Sequence, residues 1–282
     1  MKKILFVLFS LAILSSCDDK NDYLVKIKTA HGEMTVLLYE ETPLHKKNFL
    51  ELARSGRYDS TIFHRISNDF MIQGGDVARK EGVREKEEDR IPAEIVEGLY
   101  HTRGSLAAAR QGDAVNPEKK SSSTQFYIVD GKSWQQLSTN ENQLYGKMLQ
   151  LLQDTTNREL IEEYTPIYAS RDGQKISDFI FSKKEMIEER FGINLTQSPG
   201  TKNDEAYEKS NGGTPSLDGA YTVFGKVVEG LEVVDVIATL PTKRNPQTGE
   251  NSTPLEDIPM TMEVVEMKKK EITEKYGYKY PE

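Results

Sequence analysis

From Tyr23 onward the chain alternates apolar and polar positions in short runs. Residues 24–30, 33–39, 61–66, 70–74, 104–109, 125–129, 221–227 and 260–267 are each short and rich in β-branched or apolar side chains, which predicts strands. Two stretches follow a helical period instead. The first opens at Thr42 as N-cap with Pro43 in the first helical position, carries Leu44, Phe49, Leu52 and Ala53, and stops at Gly56. The second, 231–238, is cut off by Pro241. Eight strands and two helices predict a mainly β fold, a closed eight-stranded antiparallel barrel capped by helices, since closure removes exposed edges.

Residues 135–213 break that pattern. Leu144, Met148, Leu151 and Leu152, then Leu160, Ile161 and Tyr164, recur at helical spacing. Ile176, Phe179 and Ile180, with Met186 and Ile187, predict a further helix ending at Gly192. Residues 196–213 are polar and rich in Gly, Ser, Asn and Lys, as a loop would be. The expected organisation is therefore a barrel over 23–134 and 214–268, a helical insertion at 135–213, and a C-terminal tail at 269–282.

The chain begins with a different kind of segment. Lys2-Lys3, the apolar run Ile4–Leu14 and Ser15-Ser16-Cys17 have the form of a signal peptide, 1–17, too short to remain as a membrane-spanning helix. Leu14-Ser15-Ser16-Cys17 resembles the bacterial lipobox, in which the cysteine is lipidated and becomes the new N-terminus. Cys17 is the only cysteine, so disulfides, Cys-based zinc sites and thiol catalysis are excluded. The expected place is the bacterial cell envelope, with the domain lipid-anchored outside the cytoplasm. Five residues, Asp18–Asp22, separate Cys17 from the first strand and reach roughly 15–20 Å. Loss of residues 1–16 removes Lys2 and Lys3, taking the net charge from −8 to −10, which argues against nucleic-acid binding. The four histidines, His31, His45, His64 and His101, lack ligand spacing, so neither a metal nor any other cofactor is expected. A monomer is expected.

The densest chemistry lies in Phe63–Asp76, FHRISNDFMIQGGD. Read as strand, turn and strand, it puts Met71 and Gln73 on one face, within reach of Arg65. Ser67-Asn68-Asp69 suits the turn because these side chains satisfy local backbone. A cation, an apolar platform and an amide on one surface, without nucleophile or acid–base pair, suit binding and distorting an apolar group better than cleaving one.

This run resembles the central motif of the cyclophilins, the peptidyl-prolyl cis-trans isomerases. Gly104–Arg110 (GSLAAAR), Ser123–Ile128 (STQFYI) and Leu217–Val227 (LDGAYTVFGKV) resemble three further segments of that family, in the same order. The resemblance implies the barrel fold and rotation about X–Pro bonds in proline-containing polypeptides, assisting the folding of exported proteins. It implies that Arg65 donates to the prolyl nitrogen in the twisted state and that Gln73 holds the substrate carbonyl and steadies the arginine. Phe70, Met71, Tyr127 and Leu217 match the proline pocket, and Gln125 the groove lining. Ala109 and Arg110 match the groove edge, where backbone does the pairing. Tyr127 stands for the usual Phe, adding a hydroxyl expected at the pocket rim. Ser216 replaces the family's common Trp, and Tyr221 its pocket His. The alternative is a proline-peptide binding module or chaperone that uses groove and insertion with little turnover.

Overall fold

The computed structural model describes residues 20–131, 138–139, 141–193, 195–197, 204–246 and 249–281. Residues 1–17, where a signal peptide and a lipidated Cys17 are expected, lie outside the described residues. In chain order come β1 (Asn21–Thr29), β2 (Gly32–Leu38), α1 (Pro43–Arg54), β3 (Phe63–Ser67), β4 (Met71–Gly74), α2 (Val77–Glu81), β5 (Ser105–Ala108) and β6 (Phe126–Val129). Residues 138–209 supply β7 (Ser138–Thr139), α3 (Glu141–Gln153), α4 (Arg158–Ala169), α5 (Gly173–Ser182), α6 (Lys184–Phe191), β8 (Thr196–Gln197) and α7 (Asp204–Lys209). The chain closes with β9 (Val223–Glu229), α8 (Leu231–Ala238), β10 (Thr242–Arg244), β11 (Asn251–Pro254), β12 (Thr261–Lys268) and α9 (Lys269–Tyr276).

Eight strands form one antiparallel sheet in the order β12-β1-β2-β9-β5-β6-β4-β3. The ladder does not close: β12 and β3 remain its edges. The residues just before these strands meet at a bridge, Ile62 to Pro259, supported by backbone bonds from Ser60 to Met260 (2.9 Å) and Phe63 to Ile258 (3.0 Å). The expected closed barrel is thus a curled sheet stitched at one seam.

Period-two alternation sorts the side chains. Val25, Ile27, Val36, Leu38, Ile72, Leu106, Ala108, Phe126 and Ile128 enter the inner core, where α1 and α8 cover the ends with Phe49, Leu52, Val234 and Ile237. Met71, Ala107, Ala109, Tyr127 and Val223 lie on the opposite face in a smaller cluster, joined by Phe70, Leu217 and Tyr221. That second face carries the site.

Three local expectations need correction. Thr42 sits at the N-cap of α1 but makes no side-chain capping bond. Glu94, fifty residues on, does so instead, accepting from the backbone N–H groups of Leu44 (3.0 Å) and His45 (2.9 Å), a carboxylate suited to the positive helix end. The tail expected at 269–282 begins with α9, because Ile272 and Tyr278 are buried against Leu24 and Leu37 on the outer face of β1 and β2. The polar stretch expected as a loop at 196–213 contains α7, whose Tyr207 is fully buried. The helices predicted within 135–213 do form, around a separate core of Leu144, Met148, Leu151, Ile180, Ile187 and Leu195.

Candidate active site

The β3–β4 hairpin aims the decisive side chains. Its register pairs Arg65 with Gln73 and shifts between Phe63 and Arg65. Without that irregularity Arg65 would share the inward face of Phe63. With it, Phe63 and Ile66 both enter the core while Arg65 joins Gln73 and Met71 outside, a common use of β-bulges beside functional sites. The turn between the strands includes Asp69 at φ 61° and closes with the Phe70 N–H donating to the Ser67 carbonyl at 3.1 Å. Phe70 therefore lies in the turn, one residue before β4.

A cavity of about 100 Å³ opens on this face, lined by Arg65, Phe70, Met71, Gln73, Ala109, Arg110, Tyr127, Leu217 and Tyr221. Gln125, the remaining expected groove residue, touches it through Gln73, whose Nε2 donates to Gln125 Oε1 at 3.1 Å. Gln125 also lines a larger, charged cavity of about 600 Å³ next door, bordered by Asp76, Arg79, Arg84, Glu85 and Arg90. No residue of α3–α6 lines the smaller cavity. The structure thus brings together all ten residues singled out from the sequence.

Arg65 is tethered through Nη2 and, among the described residues, leaves Nε unpaired. Its Nη2 donates to Glu250 Oε2 at 3.0 Å, and its Cζ lies 5.7 Å from the centre of the Phe70 ring. Its Nε is buried without a hydrogen-bond partner among the described residues. A buried donor left unpaired carries a desolvation cost, which an acceptor reaching it would offset.

Other residues escaped the sequence reading. For Arg110 the resemblance implies a role of the backbone alone, but its side chain also shapes the site. It packs 4.5 Å over the Tyr221 ring and donates from Nε to the Ala220 carbonyl at 2.7 Å, pinning the segment that brings Leu217 and Tyr221 to the cavity. The Tyr127 hydroxyl, expected at the rim, points behind the cavity to His101 Nε2 at 2.9 Å. Burial pushes the Tyr127 hydroxyl well above its ordinary range, so it stays protonated. The signal available was a tyrosine in an apolar seat, which demands a partner for its hydroxyl. Burial lowers the pKa values of His45 and His64 below the ordinary 6.5; His45 pairs with Glu94 through Nδ1 at 2.6 Å. Among the described residues no cluster of His, Cys, Asp or Glu is arranged to hold a metal.

Comparison with known proteins places the chain. The model of the family "Cyclophilin type peptidyl-prolyl cis-trans isomerase/CLD" matches residues 24–157 and 172–264, and so covers most of 135–213, the segment expected as an insertion, as well as the four motifs. A putative bifunctional phosphatase/peptidyl-prolyl cis-trans isomerase of Streptococcus pyogenes is 32% identical over 238 residues, 83% of this chain but 37% of that protein. Peptidyl-prolyl cis-trans isomerase B of Escherichia coli is 38% identical over 107 residues, 37% of this chain and 61% of that one. The chain therefore spans less than two thirds of either relative. A putative peptidyl-prolyl cis-trans isomerase of Staphylococcus saprophyticus is 27% identical and is matched over 93% of its length, across 87% of this chain. A solved cyclophilin type peptidyl-prolyl cis-trans isomerase of Cryptosporidium parvum superposes with TM-score 0.49 at 20% identity, over 86% of this chain and 96% of that one. The chain belongs to the cyclophilin-type peptidyl-prolyl cis-trans isomerase family.

Proposed function

We propose that this protein catalyses cis–trans rotation of X–Pro peptide bonds in exported polypeptides, with Arg65 as the donor to the prolyl nitrogen. Conjugation sets a barrier of roughly 18–20 kcal/mol to that rotation. No bond breaks, so a catalyst needs only to bind the twisted amide better than either planar form. On twisting, the prolyl nitrogen regains a lone pair. The observation that carries the reading is the buried, unpartnered Arg65 Nε beside an apolar seat formed by Phe70, Met71, Tyr127 and Leu217. The pyrrolidine ring fills the seat, and a guanidinium, permanently charged and rigid, completes its hydrogen bonding only on the twisted nitrogen. Gln73, fixed by Gln125 at 3.1 Å, holds the carbonyl that precedes the proline. The chemistry needs no cofactor.

The test is exchange of a prolyl peptide, followed by NMR, with the full chain in detergent. Arg65→Ala is expected to lose nearly all the rate while still binding the peptide. An unchanged rate would remove Arg65 from the chemistry. Equal peptide binding without any rate in the unaltered chain would favour a binding module.

The leader and Cys17 support a second part of the proposal: the domain works at an envelope membrane, held by lipid on Cys17, with only a few residues between anchor and β1. Multiple acyl chains are what firm anchoring requires. No helix among the described residues is long and apolar enough to cross a membrane. Cys17→Ala is expected to move the protein from the membrane to the soluble fraction and to abolish incorporation of labelled fatty acid; persistence of either would defeat the anchor.

A further inference from the structure

Behind the proline seat runs a buried chain of polar groups that the rotation itself does not use. His101 is 1% exposed. Its Nε2 lies 2.9 Å from the Tyr127 hydroxyl and its Nδ1 2.9 Å from Asp218 Oδ1. The same carboxyl oxygen accepts the His101 backbone N–H at 2.9 Å. Asp218 Oδ2 accepts the hydroxyl of Tyr207, which is fully buried on α7, the last helix of the inserted segment. Carboxylate oxygens only accept, so the arrangement that satisfies all four residues puts the imidazole proton on Nδ1 and leaves Nε2 to accept from Tyr127.

Packing follows the same path. The His101 and Tyr127 rings stack at 6.0 Å, and Tyr221 meets both edge-on at 6.3 and 6.0 Å. Asp218 stands between Leu217 and Tyr221, both of which line the seat. The returning chain is pressed against His101: the Thr214 N–H donates to the His101 carbonyl at 2.8 Å. Gly213, at φ +147°, leaves no room for a side chain, since a Cβ would lie 2.4 Å from the His101 carbonyl oxygen and 2.5 Å from the Tyr207 ring.

We infer that Tyr207, Asp218 and His101 are positioning residues for the proline seat, and that through them the inserted segment sets the orientation of Tyr127 and the fit of the prolyl ring. The inference rests on the reading of this cavity as the proline site. A buried polar network holds a unique geometry only when every member is satisfied. Removing the Tyr207 hydroxyl takes a donor from Asp218, loosens its hold on His101, and frees the Tyr127 ring.

A double-mutant cycle tests this with the full chain in detergent. Tyr207→Phe, Tyr127→Phe and the double variant are compared for kcat/KM on a prolyl peptide, for Kd of the same peptide by calorimetry, and for thermal unfolding. Residues coupled in one network depart from additivity, so Tyr207→Phe is expected to lower kcat/KM about threefold beside Tyr127 and to change nothing beside Phe at that position. Equal losses in both backgrounds overturn the inference, as does a fall in melting temperature with kcat/KM and Kd unchanged. If the unaltered chain binds the peptide without speeding its exchange, the isomerase reading fails alone, and the cycle is decided on Kd. If it does not bind the peptide, both fail.

Discussion

Replacing Arg65 by lysine separates charge from geometry at the centre of the site. In the structure one guanidinium nitrogen, Nη2, is committed to Glu250 at 3.0 Å, while Nε is buried and unpaired. A lysine keeps the positive charge and can still reach Glu250, but it has a single nitrogen. Once that nitrogen is paired, nothing occupies the position of Nε. A hydrogen bond from a charged donor is worth about 1.5–3 kcal/mol. If it forms only in the twisted state, its loss lowers kcat/KM by about 10- to 150-fold, at 1.36 kcal/mol per factor of ten. The assay is exchange of a prolyl peptide at substrate concentrations below KM, with calorimetry to show that the peptide still binds. Binding should change little, because the seat itself is untouched. Retention of kcat/KM within about threefold would refute the reasoning, since charge alone would then account for the role of Arg65.

Two further outcomes follow from groups around the site. Glu250→Gln should lower kcat/KM by no more than about fivefold, because Glu250 is 58% exposed and such pairs are worth at most about 1 kcal/mol. The difference from the unaltered chain should vanish in 1 M salt; a larger loss that ignores salt would give Glu250 a different role. Stability should also depend on pH through His45 and His64, whose pKa values burial lowers from 6.5. The unfolded chain takes up protons that the folded one refuses, so the urea midpoint should be level above pH 7 and fall as pH drops below about 6.5. His64→Asn should flatten part of that slope, and an unchanged slope in a variant lacking both histidines would contradict the assignment.

Much of the site could be read from the linear order of residues because its chemistry is local. Arg65, Met71 and Gln73 fall within one hairpin, and alternation alone puts Met71 and Gln73 on one face. The strands and capping helices were legible for the same reason: short-range periodicity reports which face of each element is buried. Local order does not show which way a bulge turns a strand. The register shift after Phe63, which carries Arg65 outward, appears only once Phe63 and Ile66 are seen sharing the core. The capping of α1 by Glu94 was hidden likewise, since the donors and the acceptor are fifty residues apart.

The sequence by itself determined the motifs and the strand positions, because each is written over a few adjacent positions, and the family resemblance those motifs carry named the ten residues expected around the groove. Tertiary structure alone decided what stands behind the seat. His101, Asp218 and Tyr207 come from three separated segments, and nothing in their spacing predicts a contact. They meet because the polar groups of a buried tyrosine, histidine and aspartate must find one another where water cannot reach.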